Sequence, residues 1–152
     1  MHPSRLHRLT HVYLKHPLYF RTLCTFHRQY ILARPAAHAA FVQFCHGAAA
    51  HGAYVGRYVL MPDHLHLFVT VAPDGVTLSA WVKSLKNTLS KSWRGAGIAA
   101  PHWQKGFFDH VMRSAQSYEE KWTYGAANPV RAGLATSLEA WPYQGTIHSL
   151  NF

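Results

Sequence analysis

The sequence predicts an α+β fold of the ferredoxin-like kind, one antiparallel sheet built in the order strand, helix, strand, strand, helix, strand, with an additional helix near the C-terminal end. Three observations predict it. Residues 18–26, 53–60, 64–71 and 107–113 are rich in aromatic and β-branched residues, as strands are. Residues 36–50 and 77–93 carry apolar residues at three- and four-residue steps, the period of an amphipathic helix. Met61-Pro62-Asp63 is a turn that joins two of the strand-like runs as an antiparallel hairpin.

Taken in order, residues 1–17 are polar, basic and His-rich, punctuated by Pro3 and Pro17, and read as an irregular arm. The first strand follows. Pro35 is a residue on which a helix can start, and that helix places Phe41, Phe44 and Cys45 on one side before Gly52 stops it. The hairpin of residues 53–60 and 64–71 leads to the loop Ala72-Pro73-Asp74-Gly75. In the second helix Leu78, Val82, Leu85, Leu89 and Trp93 form the buried stripe. Trp81 falls off that stripe and is expected to be partly buried, or else free to stack on a base. Gly95 and Gly97 end the helix, and Trp103 is expected in the core. After the fourth strand, Ser117 with Glu120 three residues on reads as a capping box for a third helix that runs to Asn128, where Pro129 limits it. Residues from about 135 to 152 read as a connecting tail. No repeat or linker divides the chain, so residues 1–152 are expected to form a single domain.

The 152 residues carry a net charge of +9 with histidines neutral. The first acid is Asp63, and between Asp74 and Asp109 there is none, although Lys83, Lys86, Lys91, Arg94 and Lys105 fall there. Such a field attracts polyanions. Lys83, Lys86, Lys91 and Arg94 read either as a track for a DNA backbone or as a solvated helix face. No apolar run has membrane-spanning length, and no secretory signal is recognisable. Cys24 and Cys45 form no metal-spaced pair, which fits reduced cysteines in a cytoplasmic protein.

His64 and His66 are two apart on a strand, so both imidazoles leave one face while Leu65, Leu67 and Val69 leave the other. Paired neutral imidazoles are a natural divalent-metal site. Tyr124 and Asn128, four apart, share one face of the third helix. Packed over the sheet, that face would supply an amide oxygen as third ligand and a phenol as nucleophile. Mixed imidazole and amide ligation with open positions suits Mg²⁺ or Mn²⁺. The chemistry that follows is phosphoryl transfer to tyrosine, which conserves the phosphodiester's energy and needs no nucleotide cofactor. No P-loop or dinucleotide fingerprint is present.

Four stretches resemble the REP-associated tyrosine transposases of the HUH (His-hydrophobic-His) single-tyrosine superfamily. They are Tyr58-Val59-Leu60-Met61-Pro62-Asp63-His64-Leu65-His66-Leu67, the segment around Leu85-Lys86, Trp103-Gln104-Lys105-Gly106-Phe107-Phe108-Asp109-His110, and Tyr124 through Asn128-Pro129-Val130-Arg131-Ala132-Gly133-Leu134. The resemblance implies that His64 and His66 are the metal ligands, Asn128 the third ligand and Tyr124 the catalytic tyrosine. It implies nicking of single-stranded DNA at hairpin or palindromic repeats through a 5′-phosphotyrosine link, by a monomer or homodimer. Gly125 and Ala126 depart from the larger apolar residues usual in the family. Glycine weakens a helix by about 1 kcal/mol relative to alanine, which predicts a less firmly placed tyrosine.

Each residue has a plainer reading beside this one. Tyr118 competes with Tyr124 for the tyrosine role. Asn128 could cap the helix end. Asp63 is a turn former or orients a histidine. Asp109 and His110 are ordinary strand residues or line the site. Besides the nickase, the sequence admits a non-catalytic basic nucleic-acid-binding module of the same fold. It also admits a zinc-dependent hydrolase with a third strong ligand such as His110.

Overall fold

The computed structural model describes residues 11–13, 16–106 and 108–151, with the backbone alone for strand residues 11–13, 108–110 and 151. The strands are β1 (His11–Tyr13), β2 (Leu18–Cys24), β3 (Ala53–Leu60), β4 (His64–Val71), β5 (Phe108–Met112), β6 (Gln144–Thr146) and β7 (Ser149–Asn151). The helices are α1 (Pro35–Ala48), α2 (Leu78–Gly95), α3 (Ala115–Ala126) and the short α4 (Asn128–Arg131). One sheet has the order β5-β2-β4-β3-β6, antiparallel throughout. Its first four strands are those expected of the strand-helix-strand-strand-helix-strand arrangement, and the β3–β4 hairpin is the one the Met61-Pro62-Asp63 turn foretells. β1 and β7 form a separate parallel pair.

Alternation along β4 decides which layer each side chain joins. Leu65, Leu67 and Val69 meet Phe41 of α1 and Leu85, Leu89 and Trp93 of α2 in the larger core. Phe68 leaves the opposite face and joins Leu18, Phe20, Met112, Tyr118 and Leu150, with Trp122 packed against them. So α1 and α2 cover one face of the sheet, and α3 covers part of the other. Thr77 caps α2 by accepting from the Ala80 amide at 3.2 Å.

The structure corrects several expectations. The arm contains β1 and the tail contains β6 and β7, three-residue strands too short to show alternation. The capping box is Ser114 with Ser117, not Ser117 with Glu120: Ser114 sits in extended backbone, its hydroxyl accepts from the Ser117 amide, and the Ser117 hydroxyl reaches back. The third helix therefore starts earlier, and it ends at Ala126, with Asn128 opening α4. Trp81 is buried, 2% exposed, because α2 packs on α1 as well as on the sheet and the Trp81 ring meets Phe44 at 5.8 Å. Trp103 is only partly buried, and its indole N–H donates to the Lys86 carbonyl.

Burial holds His38, His64, His66 and His148 below the ordinary imidazole pKa, His66 at about 3. Each holds its proton less readily in the folded chain than in the unfolded chain, where an imidazole takes one below about pH 6.5. The stability they contribute is full above that pH and is lost as the pH falls towards the folded-state values. In EDTA, the melting temperature is expected to drop by several degrees between pH 7 and pH 5. An unchanged or rising value would contradict these assignments.

Candidate functional site

His64 and His66 leave β4 on the face away from α1 and α2, and their ring centroids lie 4.9 Å apart. Cross-strand register puts Cys24 opposite His64 and Thr22 opposite His66. Thr22 Oγ1 lies 2.8 Å from His66 Nδ1. Asp63 Oδ1 lies 2.8 Å from His64 Nδ1, and Arg28 Nε donates to Asp63 Oδ2 at 2.7 Å. Arg28 arrives there through a tight turn after β2 in which His27 and Arg28 both take positive φ, 52° and 54°. These partners occupy Nδ1 of both rings. The Asp63 carboxylate can only accept, so it favours the His64 tautomer whose Nε2 keeps its lone pair, and the Thr22 hydroxyl can accept from His66 Nδ1 in the same way.

The His66 ring stacks on Phe20 at 5.2 Å with 18° between planes. Its low pKa comes first from burial, then from the repulsion that a second imidazolium at His64 would add, and from the positive charges of Lys121, Arg131 and Arg28. Burial also lowers His64, outweighing Asp63. Burial opposes ionisation of Asp63, but the hydrogen bonds from Arg28 and His64 outweigh it and keep the carboxyl below its usual range. Both imidazoles are therefore neutral, the form that binds metal, at ordinary pH. Among the described residues no cluster of three His, Cys, Asp or Glu exists. Two imidazoles fit an open site completed by an amide oxygen, a substrate oxygen or water; the side chain of His110, the further ligand a zinc site would need, lies outside those described.

α3 crosses this face. Tyr118 packs on Phe68 at 4.4 Å, is only 7% exposed, and is raised in pKa by burial. The Arg57 guanidinium lies over the Tyr118 and Trp122 rings. One turn on, Gly125 is buried, and a Cβ there would lie 3.8 Å from His66 Cδ2 and 3.8 Å from Phe20 Cζ. Glycine, not Tyr124, is therefore the residue against the imidazole. Tyr124 is 61% exposed and lines a cleft of about 460 Å³ with Val111, Met112, Ser117, Glu120 and Lys121. Asn128 stands at the start of α4, where its Oδ1 accepts from Arg131 Nη2 at 2.7 Å. Arg131 Nη2 also donates to the Tyr124 carbonyl at 2.8 Å, and the guanidinium lies 4.5 Å from the Tyr124 ring centroid.

The distances around Gly125 are ordinary van der Waals contacts, and its φ is not in the left-handed region. Gly125→Ala should therefore stabilise the chain by about 0.5–1 kcal/mol, the helix-interior difference between the two residues. Urea denaturation would show a higher midpoint at unchanged slope. A lower midpoint would mean that the contact with His66 and Phe20 does not accept a methyl.

The remaining sequence candidates are scattered. Lys83, Lys91 and Arg94 are exposed on α2, on the sheet face opposite the histidines. Lys86 is half-buried there, and its ammonium lies 5.8 Å from the Trp103 ring. Lys83 and Lys86 line a groove of about 350 Å³ with Asn87 and Trp103. Asp109 and His110 pair in register with Arg21 and Phe20, but their side chains lie outside those described. A cavity of about 1000 Å³ at the end of α1 contains none of these residues. Sequence reasoning missed Thr22, Arg28 and Arg131. Arg131 had a local signal, its three-residue spacing from Asn128. Thr22 and Arg28 had none, because only the strand register and the turn bring them to the histidines.

Comparison with known proteins places this architecture. The family model "Transposase IS200 like" matches residues 17–121, which include both histidines and stop three residues before Tyr124. A REP-associated tyrosine transposase of Escherichia coli (strain K12) is 24% identical over 94 residues, 62% of this chain and 54% of that protein. A relative from Haemophilus influenzae is 24% identical over 98 residues, 55% of this chain and 53% of its own length. The chain thus spans about half the length of the curated relatives it matches. A solved REP-associated tyrosine transposase bound to a REP hairpin shares the fold, with a TM-score of 0.69 at 20% identity over 88% of this chain and 78% of that one. With more than half of its residues matched by the family model, this chain belongs to the IS200-like transposase family.

Proposed function

We propose that the protein is a metal-dependent transposase that cleaves and rejoins single-stranded DNA at hairpin repeats, with Tyr124 as nucleophile. The observation that carries this reading is one juxtaposition. The His66 imidazole, tethered at Nδ1 and packed beside that of His64, lies against Gly125, the chain neighbour of an exposed phenol. His64 and His66 would hold Mg²⁺ or Mn²⁺, Asn128 would add an amide oxygen, and Asp63 and Thr22 would keep the rings oriented. The ion would offset charge on the scissile phosphate. The Tyr124 oxygen forms a bond to phosphorus, the bond to the 3′ oxygen breaks, and the phenolic proton is released while the leaving oxygen becomes a 3′-hydroxyl. Attack by a 3′-hydroxyl on the phosphotyrosine reverses the step, so the broken bond is restored without a nucleotide cofactor.

Lys83, Lys86, Lys91 and Arg94 serve backbone phosphates beyond the cleavage point, since they sit across the sheet from the histidines. No described helix is long and apolar enough to cross a membrane, and the cysteines are free, which accords with work on DNA in the cytoplasm. A second reading, a non-catalytic hairpin-binding module, is favoured by one contact: the Asn128 oxygen is taken by Arg131. Incubation with single-stranded hairpins from the DNA flanking the gene, with Mn²⁺, separates the two. A slow band on a denaturing gel that EDTA abolishes is expected. Salt-sensitive binding with no such band in any metal would leave only the binding module.

A further inference from the structure

We propose that Arg131 is a positioning residue that responds to DNA phosphate. In the free chain it occupies the Asn128 oxygen and pins Tyr124, and a phosphate of the incoming strand draws it away. This rests on the roles proposed above for Tyr124 and Asn128, and adds the step that makes them available. One guanidinium makes three contacts: to the Tyr124 carbonyl, to Asn128 Oδ1 and over the Tyr124 ring. Asn128 and Arg131 are three apart in α4, so the pairing is local. An amide oxygen that already accepts from a guanidinium is a poor ligand for a cation, because the ion would meet a positive charge at hydrogen-bond range.

The same contact is easily exchanged. Arg131 is exposed. Its acceptors here are neutral, whereas a phosphate offers a charged, bidentate acceptor, and charge-assisted bonds of that kind are roughly twice as strong. A strand laid along α3 and α4 would therefore compete successfully for the guanidinium. Release frees Asn128 Oδ1 and unpins the Tyr124 ring together. Metal and DNA are then thermodynamically coupled, each raising the affinity for the other by the same factor. Ion binding would be weak until a substrate phosphate is present.

The test is Mn²⁺ affinity of the full chain, read by electron paramagnetic resonance, with and without a saturating single-stranded hairpin. The hairpin should tighten wild-type Mn²⁺ binding several-fold. Arg131→Ala should bind Mn²⁺ about fivefold more tightly than wild type without DNA, and the hairpin should add little. Adding Asn128→Ala to that variant should remove the gain. A metal-free readout runs beside it: the Asn128 side-chain amide resonances should shift when the hairpin is added in EDTA to wild type, and should already be shifted in Arg131→Ala. A merely structural arginine would weaken Mn²⁺ binding in both states when removed. That result, or Arg131→Ala with wild-type affinity and wild-type coupling, would overturn the proposal. His66→Ala keeps the two failures apart. If it abolishes Mn²⁺ binding while Arg131→Ala changes nothing, only the role of Arg131 falls. If His66→Ala binds Mn²⁺ like wild type, the metal site itself falls, and this inference with it.

Discussion

Tyr124→Phe is expected to bind hairpin DNA as wild type does and to form no covalent adduct, a loss of more than about 10⁴-fold in adduct formation, as removal of a nucleophile typically gives. The substitution removes one hydroxyl and nothing else. The ring that Arg131 covers remains, as does the cleft wall against Val111 and Met112. Because Tyr124 is largely exposed, stability should change by no more than about 0.5 kcal/mol. Tyr118→Phe is the matched control. Its ring lies in the smaller core against Phe68 and beneath Arg57, only 7% exposed, so adduct formation should persist. An adduct in Tyr124→Phe, or its loss in Tyr118→Phe, would move the nucleophile to the other tyrosine.

The second large effect is expected at the imidazoles. His66→Ala should lower Mn²⁺ affinity by more than about 100-fold and abolish the adduct, since it removes one of the two imidazoles proposed to hold the ion. Thr22→Val should act more mildly, about 10-fold, because it deletes only the group that fixes the His66 ring. The graded pair matters. Loss of packing against Phe20 in His66→Ala would reduce metal-free stability as well, whereas Thr22→Val keeps the volume and isolates the orienting bond. Calorimetric titration with Mn²⁺ checks both. Equal affinities in wild type and His66→Ala would remove the histidines from metal binding.

The legible parts of the molecule were those encoded by local periodicity. Alternation from His64 to Val71 announced both the strand and its two faces, and the stripe from Leu78 to Trp93 announced α2. Local pattern cannot say which face of a sheet a helix covers. That is why the sequence could propose Lys83, Lys86, Lys91 and Arg94 as a DNA-backbone track without showing that α2 lies across the sheet from the histidines. Trp81 misled for a related reason: a stripe counted for one packing surface omits the second, where α2 meets α1. Gly125 read as a defect in the helix. In three dimensions it is the point at which α3 touches His66, a role no single-residue propensity shows. Likewise Ser117 read as the cap in sequence, and only the backbone geometry shows that Ser114 takes that place.

The account stands on phenol and imidazole pair acting at one phosphate, and mass spectrometry can locate the bond directly. The chain is incubated with a single-stranded hairpin and Mn²⁺, then digested with trypsin and nuclease. Tyr118 and Tyr124 fall in different fragments, because Lys121 lies between them and Arg131 closes the second. The account predicts a nucleotide adduct on the fragment of residues 122–131 alone, absent when EDTA is added. An adduct on the fragment of residues 114–121, or a metal-independent one on any fragment, would contradict it.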